Sequence, residues 1–300
     1  MKQGNTVIAL GFFDGLHRGH AALLERAKLR AAQLGAEPAV LTFDIHPDTF
    51  VKKTQVELLN SAEDRRYIAQ RFFGIEKLFY IHFNRETMCL PWQEFIEDVQ
   101  QTYHAVHFVI GHDFSCGYRG AGTAERIRDW CGSAGIGCDV IDAVVHDGLV
   151  VSSTYIRELI RKGEVERAEE FLGHPHLLTD TVRTGFRLGR TMDFPTINMQ
   201  LDEGVLEPRR GVYASRVILD DGVHMAVTNV GRRPTFNGER TTVETHILDY
   251  SADLYGKQAC VEFCRFLRDE RKFESPEALS RQIRFDTEMT REFFNSCRDK

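Results

Sequence analysis

The chain has 300 residues, of which 42% are hydrophobic, and a formal net charge of −6 with a pI near 6.1. This acidic balance argues against a protein that coats DNA or RNA, and no stretch approaches the roughly 18 apolar residues of a membrane span. The length favours two domains. The first residues lack a signal-peptide h-region and the seven cysteines form no CxxC pair. We therefore expect reduced thiols in a cytoplasmic protein.

The first half of the chain alternates short apolar runs with helical patterns. The apolar runs predict strands at 6–10, 39–43, 77–81, 106–110 and 138–145. The helical patterns predict helices at 19–34, 61–73, 92–103, 123–134 and 154–172, and we expect Gly163 to split the last of these. Alternation at this spacing predicts an α/β domain with a parallel sheet and helices on both of its faces.

The second half is rich in glycine, threonine and β-branched residues from about residue 181. Antiparallel strands are predicted at 211–219, 223–230, 241–248 and 257–266. A C-terminal helix is predicted to open at Ser275, which is a good N-cap, with Pro276 in the first helical position. These elements indicate a β-barrel or sandwich with one closing helix. We place the domain boundary between 1–177 and 178–300.

A glycine-rich and histidine-rich segment, GFFDGLHRGH, joins the first predicted strand to the first helix. The helix N-terminus favours phosphate, and glycines let backbone approach a nucleotide. His17 and His20 lie three residues apart, so both imidazoles can reach one phosphate and stabilise charge developing on it. The candidate nucleotide-binding residues here are Gly11, Phe12, Asp14, Gly15 and Gly19. The competing interpretation is a plain strand–helix corner with two solvent-exposed histidines.

A second polar segment, VSSTYIR, follows the fifth predicted strand. Its hydroxyls Ser152, Ser153 and Thr154, the helix amides and Arg157 can bind the β,γ-phosphates from across the sheet. Read alone, the segment is equally typical of a helix cap.

Three features of the second half also suggest nucleotide chemistry. Gly185 and Gly189, with Arg190, are typical of a flexible flap that can lie over phosphates, and equally of a plain glycine-rich hairpin with a Pro-Thr turn. Thr196 offers a hydroxyl to Mg²⁺ and Asn198 offers an amide to phosphate oxygens. Glu244 can be a general base for a hydroxyl nucleophile, provided that it is not simply on the solvent face of its strand.

The first-half motifs resemble those of nucleotidyltransferases related to class I aminoacyl-tRNA synthetases. More narrowly, they resemble the FAD synthetase module of the bacterial bifunctional riboflavin kinase/FMN adenylyltransferase family, which implies a Rossmann-like domain. The segment TFDIHP is similar to the family's TF-x-PHP motif, and this implies an ATP contact for His46. GHDFSCG is similar to G-x-DF-x-FG, which implies flavin contacts for Asp113 and Phe114, with Cys116 replacing the usual phenylalanine.

The second-half motifs resemble the riboflavin kinase domain of the same family, through PTIN, GVY, NVGRRPTF and VETHI. The resemblance makes Thr196 and Asn198 the Mg-ATP ligands and Glu244 the catalytic base, and it implies a six-stranded antiparallel barrel. It further implies two steps, phosphorylation of riboflavin to FMN and adenylylation of FMN to FAD with release of pyrophosphate. The expected partners are therefore ATP, riboflavin, FMN and FAD, with Mg²⁺ and with neither nucleic acid nor membrane.

The sequence is also compatible with two other functions. The chain could be an adenylyltransferase of single activity, with the altered loop 111–122 or the barrel no longer functional. It could also be a flavin-binding or nucleotide-binding regulator that keeps the folds and lacks turnover. Separate assays of FMN and FAD formation distinguish the three.

Overall fold

The computed structural model describes residues 4–51, 56–183, 194–235 and 238–298. Contacts divide the chain into two compact units. The first comprises residues up to Leu58 together with Arg65–Ser153, and the second comprises Leu59–Asp64 with the chain from Thr154 onward. The contact break thus falls at Ser153, and the functional boundary at 177/178 stays a prediction.

The first unit is built on a five-stranded parallel sheet in the order β3-β2-β1-β4-β7. Its elements in chain order are β1 (Thr6–Leu10), α1 (Arg18–Leu34), β2 (Glu37–Phe43), α2 (Pro47–Val51), α3 (Ala62–Phe73), β3 (Lys77–Ile81), α4 (Arg85–Cys89), α5 (Trp92–Tyr103), β4 (Ala105–Gly111), β5 (Ser115–Cys116), β6 (Gly122–Thr123), α6 (Ala124–Ser133), β7 (Gly137–Ile141), β8 (Val145–His146) and β9 (Leu149–Val150). The first residues of α3 are counted with the second unit. The predicted parallel α/β architecture is confirmed.

Two features of this unit differ from the sequence prediction. The fifth strand was predicted over 138–145 but ends at Ile141, and β8 pairs instead with β9 in a separate antiparallel hairpin. The hairpin turns at Asp147 and Gly148, whose φ values are 47° and 74°, a conformation that favours turning back over extending a strand. Helices α2 and α4 are also absent from the prediction, because five residues are too few to show a helical period.

The second unit carries a six-stranded antiparallel sheet in the order β10-β15-β12-β13-β14-β11. Its elements are α7 (Ser153–Lys162), α8 (Val165–Leu172), β10 (His176–Thr181), β11 (Thr196–Gln200), β12 (Gly211–Leu219), β13 (Gly222–Thr235), β14 (Gly238–Ile247), β15 (Gln258–Arg268) and α9 (Pro276–Arg298). Arg183, which follows β10, bridges Asn198 of β11 at the other end of the sheet, so the sheet curls into a barrel. This confirms the predicted antiparallel barrel with a C-terminal helix.

Local signals set the helix ends of the second unit. Gly163, at φ 80°, separates α7 from α8 as predicted. The Ser275 hydroxyl accepts a hydrogen bond from the Ala278 amide at 3.2 Å and caps α9, again as predicted. No helix within the described ranges is long and apolar enough to cross a lipid bilayer.

Candidate active sites

The turn between β1 and α1 has an unusual backbone. Phe13 and Leu16 have φ values of 54° and 39°, in a region that non-glycine residues seldom occupy, and Gly15 is at 79°. Such conformations concentrate at functional sites, where the surrounding structure holds them. Here Ser153 contributes, because its hydroxyl donates a hydrogen bond of 2.9 Å to the backbone carbonyl of Asp14. The structure therefore brings Ser153 to the turn.

The two histidines of this turn form a stacked pair. Their ring centroids are 3.7 Å apart and the rings are inclined by only 14°. His17 is the N-cap of α1, and its Nδ1 atom accepts a hydrogen bond of 3.3 Å from the backbone N–H of His20. Gly19 makes room for this arrangement, since a Cβ atom there would lie 3.0 Å from the His17 ring. The H-x-G-H spacing thus places both imidazoles together at a helix N-terminus.

The charge state of His20 follows from its surroundings. Burial lowers the pKa of His20 well below its ordinary value, and the nearby His17 and Arg65 lower it further. The lowered pKa favours the neutral form of the His20 ring. An anionic phosphate placed against the ring would act in the opposite direction and favour its protonated form.

The segments that follow β1 and β2 touch each other. The rings of Phe12 and His46 meet edge to face, with centroids 4.4 Å apart. The His46 Nδ1 atom accepts a hydrogen bond of 3.1 Å from the Asp48 amide. Because both segments leave the carboxyl edge of a parallel sheet, the arrangement matches the usual location of ligand sites in open α/β sheets.

The loop after β4 leaves the same edge of the sheet. Asp113 is exposed, whereas Phe114 is half-buried and packs against the core of the first unit. Gly117 and Gly122 lie so close to Trp92 that a Cβ atom on either would be 2.5 Å from it. Trp92 and the two glycines therefore determine the path of this loop, including the buried Cys116.

In the second unit, strand register assembles a polar row on one face of the sheet. Glu244 of β14 lies directly opposite Asn198 of β11 on one side and Asn229 of β13 on the other. His246, two residues further along β14, lies opposite Thr196. Directly paired residues, and residues two apart on a strand, project from the same face. These five polar side chains consequently share one face.

The opposite face of the same strands forms the barrel interior. Val243 and Ile247 belong to the buried core, and Thr245 is fully buried. Glu244 therefore points away from the barrel interior. Its side chain is half-buried and lines a cavity of about 330 Å³. Helix α9 supplies part of the wall of that cavity through Leu279 and Ile283.

A second cavity of about 410 Å³ adjoins this region. It is lined by Val182, the segment 195–197 and the segment 250–255. Thr196 lines both cavities. Two ligands occupying the two cavities would therefore meet near Thr196, within reach of the polar row.

A buried ion pair holds α9 at the wall of the smaller cavity. The Asp286 carboxylate accepts hydrogen bonds from Arg268 of β15 at 2.7 to 3.1 Å and from Gln282 at 2.7 Å. The side chain of Asp286 is only 4% exposed. Arg268 and Asp286 both line the cavity, so this pair helps to set its shape.

For the other predicted site residues, only their place in the chain can be given. Thr154 and Arg157 lie on α7 and are counted with the second unit, while Ser152 immediately precedes that helix. Gly185, Gly189 and Arg190 lie outside the described residues. Their proposed roles stay predictions.

Sequence reasoning missed several residues that contribute to these clusters. They are Arg65 in the first unit and Asn229, His246, Arg268 and Asp286 in the second. His246 and Asn229 could have been found from strand pairing, since both lie in register with predicted residues. Arg65, Arg268 and Asp286 carried no local signal, because only tertiary packing brings them to a site.

The first unit has paired histidines at a helix N-terminus, and the barrel has a carboxylate on the wall of a cavity. These features define a nucleotide-using transferase with two sites. The FAD synthetase family model matches residues 1–155, and the riboflavin kinase family model matches residues 172–294. The chain is 34% identical to a bifunctional riboflavin kinase/FMN adenylyltransferase of Listeria monocytogenes, over 98% of this chain and 94% of the relative. It is 33% identical to that of Escherichia coli K12, over 97% and 94%.

One solved structure, described as a macrolide-efflux protein from Streptococcus pneumoniae, superposes with a TM-score of 0.80 at 30% identity, covering 97% of this chain and 95% of the other. The chain thus belongs to the family of bifunctional riboflavin kinase/FMN adenylyltransferases. It phosphorylates riboflavin to FMN and adenylylates FMN to FAD, with ATP as co-substrate. The resemblance found in the sequence is confirmed.

Proposed function

We propose that riboflavin is phosphorylated in the second unit, with Glu244 as the general base. The observation that carries this assignment is the position of Glu244 between Asn198 and Asn229, on the wall of the 330 Å³ cavity. That cavity, with its apolar residues from α9, suits the flavin. The 410 Å³ cavity, which shares Thr196 with the first, suits the nucleotide.

In this step the 5′-hydroxyl oxygen of riboflavin attacks the γ-phosphorus of ATP. The new O–P bond makes FMN, the bond from the γ-phosphorus to the bridging oxygen breaks, and ADP leaves. Glu244 accepts the hydroxyl proton. A positioned carboxylate contributes typically 10²–10⁴-fold to such a reaction.

The residues of the polar row also fit a magnesium ion. The Thr196 hydroxyl and the Asn198 side-chain oxygen are hard oxygen donors on the face that carries Glu244, and Mg²⁺ prefers such ligands together with substrate phosphates. We propose that these two residues hold it. When bound, Mg²⁺ neutralises phosphate charge, whereas this chain's residues position the hydroxyl and receive its proton.

The test is Glu244→Gln, which keeps the side-chain size and removes the proton acceptor. We expect riboflavin kinase turnover to fall roughly 10²–10⁴-fold, with ATP binding retained. Asp249→Asn is the matched control, because Asp249 lies just beyond β14 and its carboxylate pairs with Arg291 at 2.9 Å. Kinase turnover at the wild-type rate in folded Glu244→Gln protein would show that Glu244 is not the general base.

The first unit is the proposed site of FMN adenylylation. A phosphate oxygen of FMN attacks the α-phosphorus of ATP, the bond to the β-phosphate oxygen breaks, and pyrophosphate leaves. The nucleophile is already ionised, so no protein base is required. The stacked pair His17 and His20 would stabilise the charge that develops on the α-phosphate, and Gly11, Phe12, Asp14, Gly15, Gly19 and His46 would surround the nucleotide.

Single substitutions His17→Ala and His20→Ala test this site. Each should depress conversion of FMN to FAD, since removal of one stabilising group at a developing charge costs on the order of 10²–10³-fold. Riboflavin phosphorylation in the same protein serves as the internal control and should stay near the wild-type rate. Conversion of FMN to FAD at the wild-type rate by both variants would show that the two histidines do not contribute to catalysis.

We further propose a cytoplasmic location, which two observations support. Both reactions consume ATP, and the seven cysteines are free thiols. Fractionation of cells that express the chain checks this proposal, and recovery from an oxidising compartment would contradict it.

A further inference from the structure

Arg65 is a cation enclosed within the first unit. It lies on α3 and is only 1% exposed. One of its guanidinium nitrogens, Nη1, donates hydrogen bonds to the backbone carbonyls of Phe12 and Phe43, at 3.0 and 3.1 Å, and to the Thr42 hydroxyl at 3.1 Å. Arg65 thus connects Phe43, the last residue of β2, to Phe12, which precedes the turn that carries His17 and His20.

Two further contacts fix the guanidinium itself. It lies 5.1 Å from the ring centroid of Phe12 and 5.1 Å from that of Tyr80, so it contacts two aromatic rings. The Thr42 hydroxyl in turn donates to the Phe12 carbonyl at 2.6 Å. Arg65, Thr42 and Phe12 therefore form a closed triangle of hydrogen bonds.

The charge of Arg65 reaches the histidine pair. Burial lowers the pKa of His20 most, and the charges of His17 at the start of α1 and of Arg65 on α3 lower it further. Packing and charge therefore independently link Arg65 to the histidine site.

We propose that Arg65 is a positioning residue of the FMN adenylyltransferase site, which holds the ends of β1 and β2 in the geometry that the paired histidines and His46 require. The proposal rests on the function proposed for the first unit. Its physical basis is that Phe12 and Phe43 lie at the carboxyl ends of two neighbouring strands, where the nucleotide would bind. A misplacement of about 1 Å at such a site can cost on the order of 10²-fold in rate.

The chain offers a matched control in the next residue. Arg66 lies on the same helix, and its guanidinium is 5.8 Å from the Tyr80 ring centroid. Arg65→Gln and Arg66→Gln therefore remove the same charge from neighbouring positions. We expect Arg65→Gln to lower kcat for FMN adenylylation on the order of 10²-fold, whereas Arg66→Gln stays near wild type. Riboflavin phosphorylation should be unaffected in both full-length proteins.

A second measurement separates positioning from general stability. The pKa of His20, followed through its ring proton resonances by NMR titration, should rise towards the ordinary value in Arg65→Gln and stay unchanged in Arg66→Gln. Arg65→Lys keeps the charge but cannot reproduce the planar fork of donors. It should therefore keep the low pKa of His20 and lose part of the rate.

The outcomes are distinguishable. Full FMN adenylylation by Arg65→Gln, or equal losses in Arg65→Gln and Arg66→Gln, would overturn the positioning role. If His20→Ala is also fully active, the proposed site itself has failed; if His20→Ala is inactive, only the role of Arg65 has failed. Should Arg65→Gln not fold, Thr42→Val removes the hydroxyl that links Arg65 to Phe12. A lower rate of FAD formation then supports the proposal, and an unchanged rate contradicts it.

Discussion

Removing the carboxylate of Asp286 should loosen the 330 Å³ cavity proposed to bind the flavin, and it should destabilise the second unit. Asp286→Ala leaves the guanidinium of Arg268 without the carboxylate that binds it at 2.7 to 3.1 Å. Breaking a buried ion pair costs about 3–5 kcal/mol. The Arg268 side chain is 20% exposed, so water offsets part of this, and we expect a loss of roughly 2–4 kcal/mol. For a unit of this size, that lowers the melting temperature by about 4–16 °C.

The assay combines thermal melting with riboflavin kinase kinetics. Because Arg268 and Asp286 both line the cavity, the KM for riboflavin should rise more than kcat falls. Arg291→Ala is the control on the same helix, because it breaks the exposed pair of Arg291 with Asp249, which contributes at most about 1 kcal/mol. Equal melting shifts in the two variants, or an unchanged KM in Asp286→Ala, would refute the reasoning.

Two further outcomes are expected. A fragment of residues 154–300 should melt at a higher temperature and make more FMN than a fragment of residues 178–300. The shorter fragment lacks Val165, which is 1% exposed in the barrel core. Equal melting temperatures of the two fragments would contradict this. In the first unit, the hydrogen-bonded Arg30 lowers the pKa of Asp139. The resulting stability is present above the ordinary carboxyl pKa and is lost as the pH falls through the lowered pKa. Asp139→Asn should therefore flatten the acid side of a plot of unfolding free energy against pH, and an unchanged plot would count against the pairing.

The elements that sequence predicts best are those with strong local signals. Strand β1 is five consecutive buried residues, and α1 ends at Gly35 in the left-handed conformation that glycine favours. Alternation along β14 likewise places Glu244 and His246 on one face, and Val243, Thr245 and Ile247 on the other. Alternation could not show which face borders a cavity, because that depends on α9, which follows much later in the chain.

The same distinction explains the site residues. His17 and His20 come together because both belong to one helix start, which is a local property of their spacing. Arg65 and Arg66 are indistinguishable as neighbouring arginines of a predicted helix. Tertiary packing alone buries Arg65 against Phe12 and Phe43 and leaves Arg66 outside that cluster.

The central claim is that the chain carries out two successive transfers, with one site in each unit. Chromatography of the flavins over time tests it most directly. Riboflavin, ATP and Mg²⁺ are incubated with wild type, His20→Ala or Glu244→Gln. Wild type should form FMN and then FAD, His20→Ala should accumulate FMN, and Glu244→Gln should leave riboflavin unchanged yet convert added FMN to FAD. Mixing the two variants should restore FAD from riboflavin. Loss of both steps through either substitution in a folded protein, or no FAD from the mixture, would contradict the assignment of one reaction to each unit.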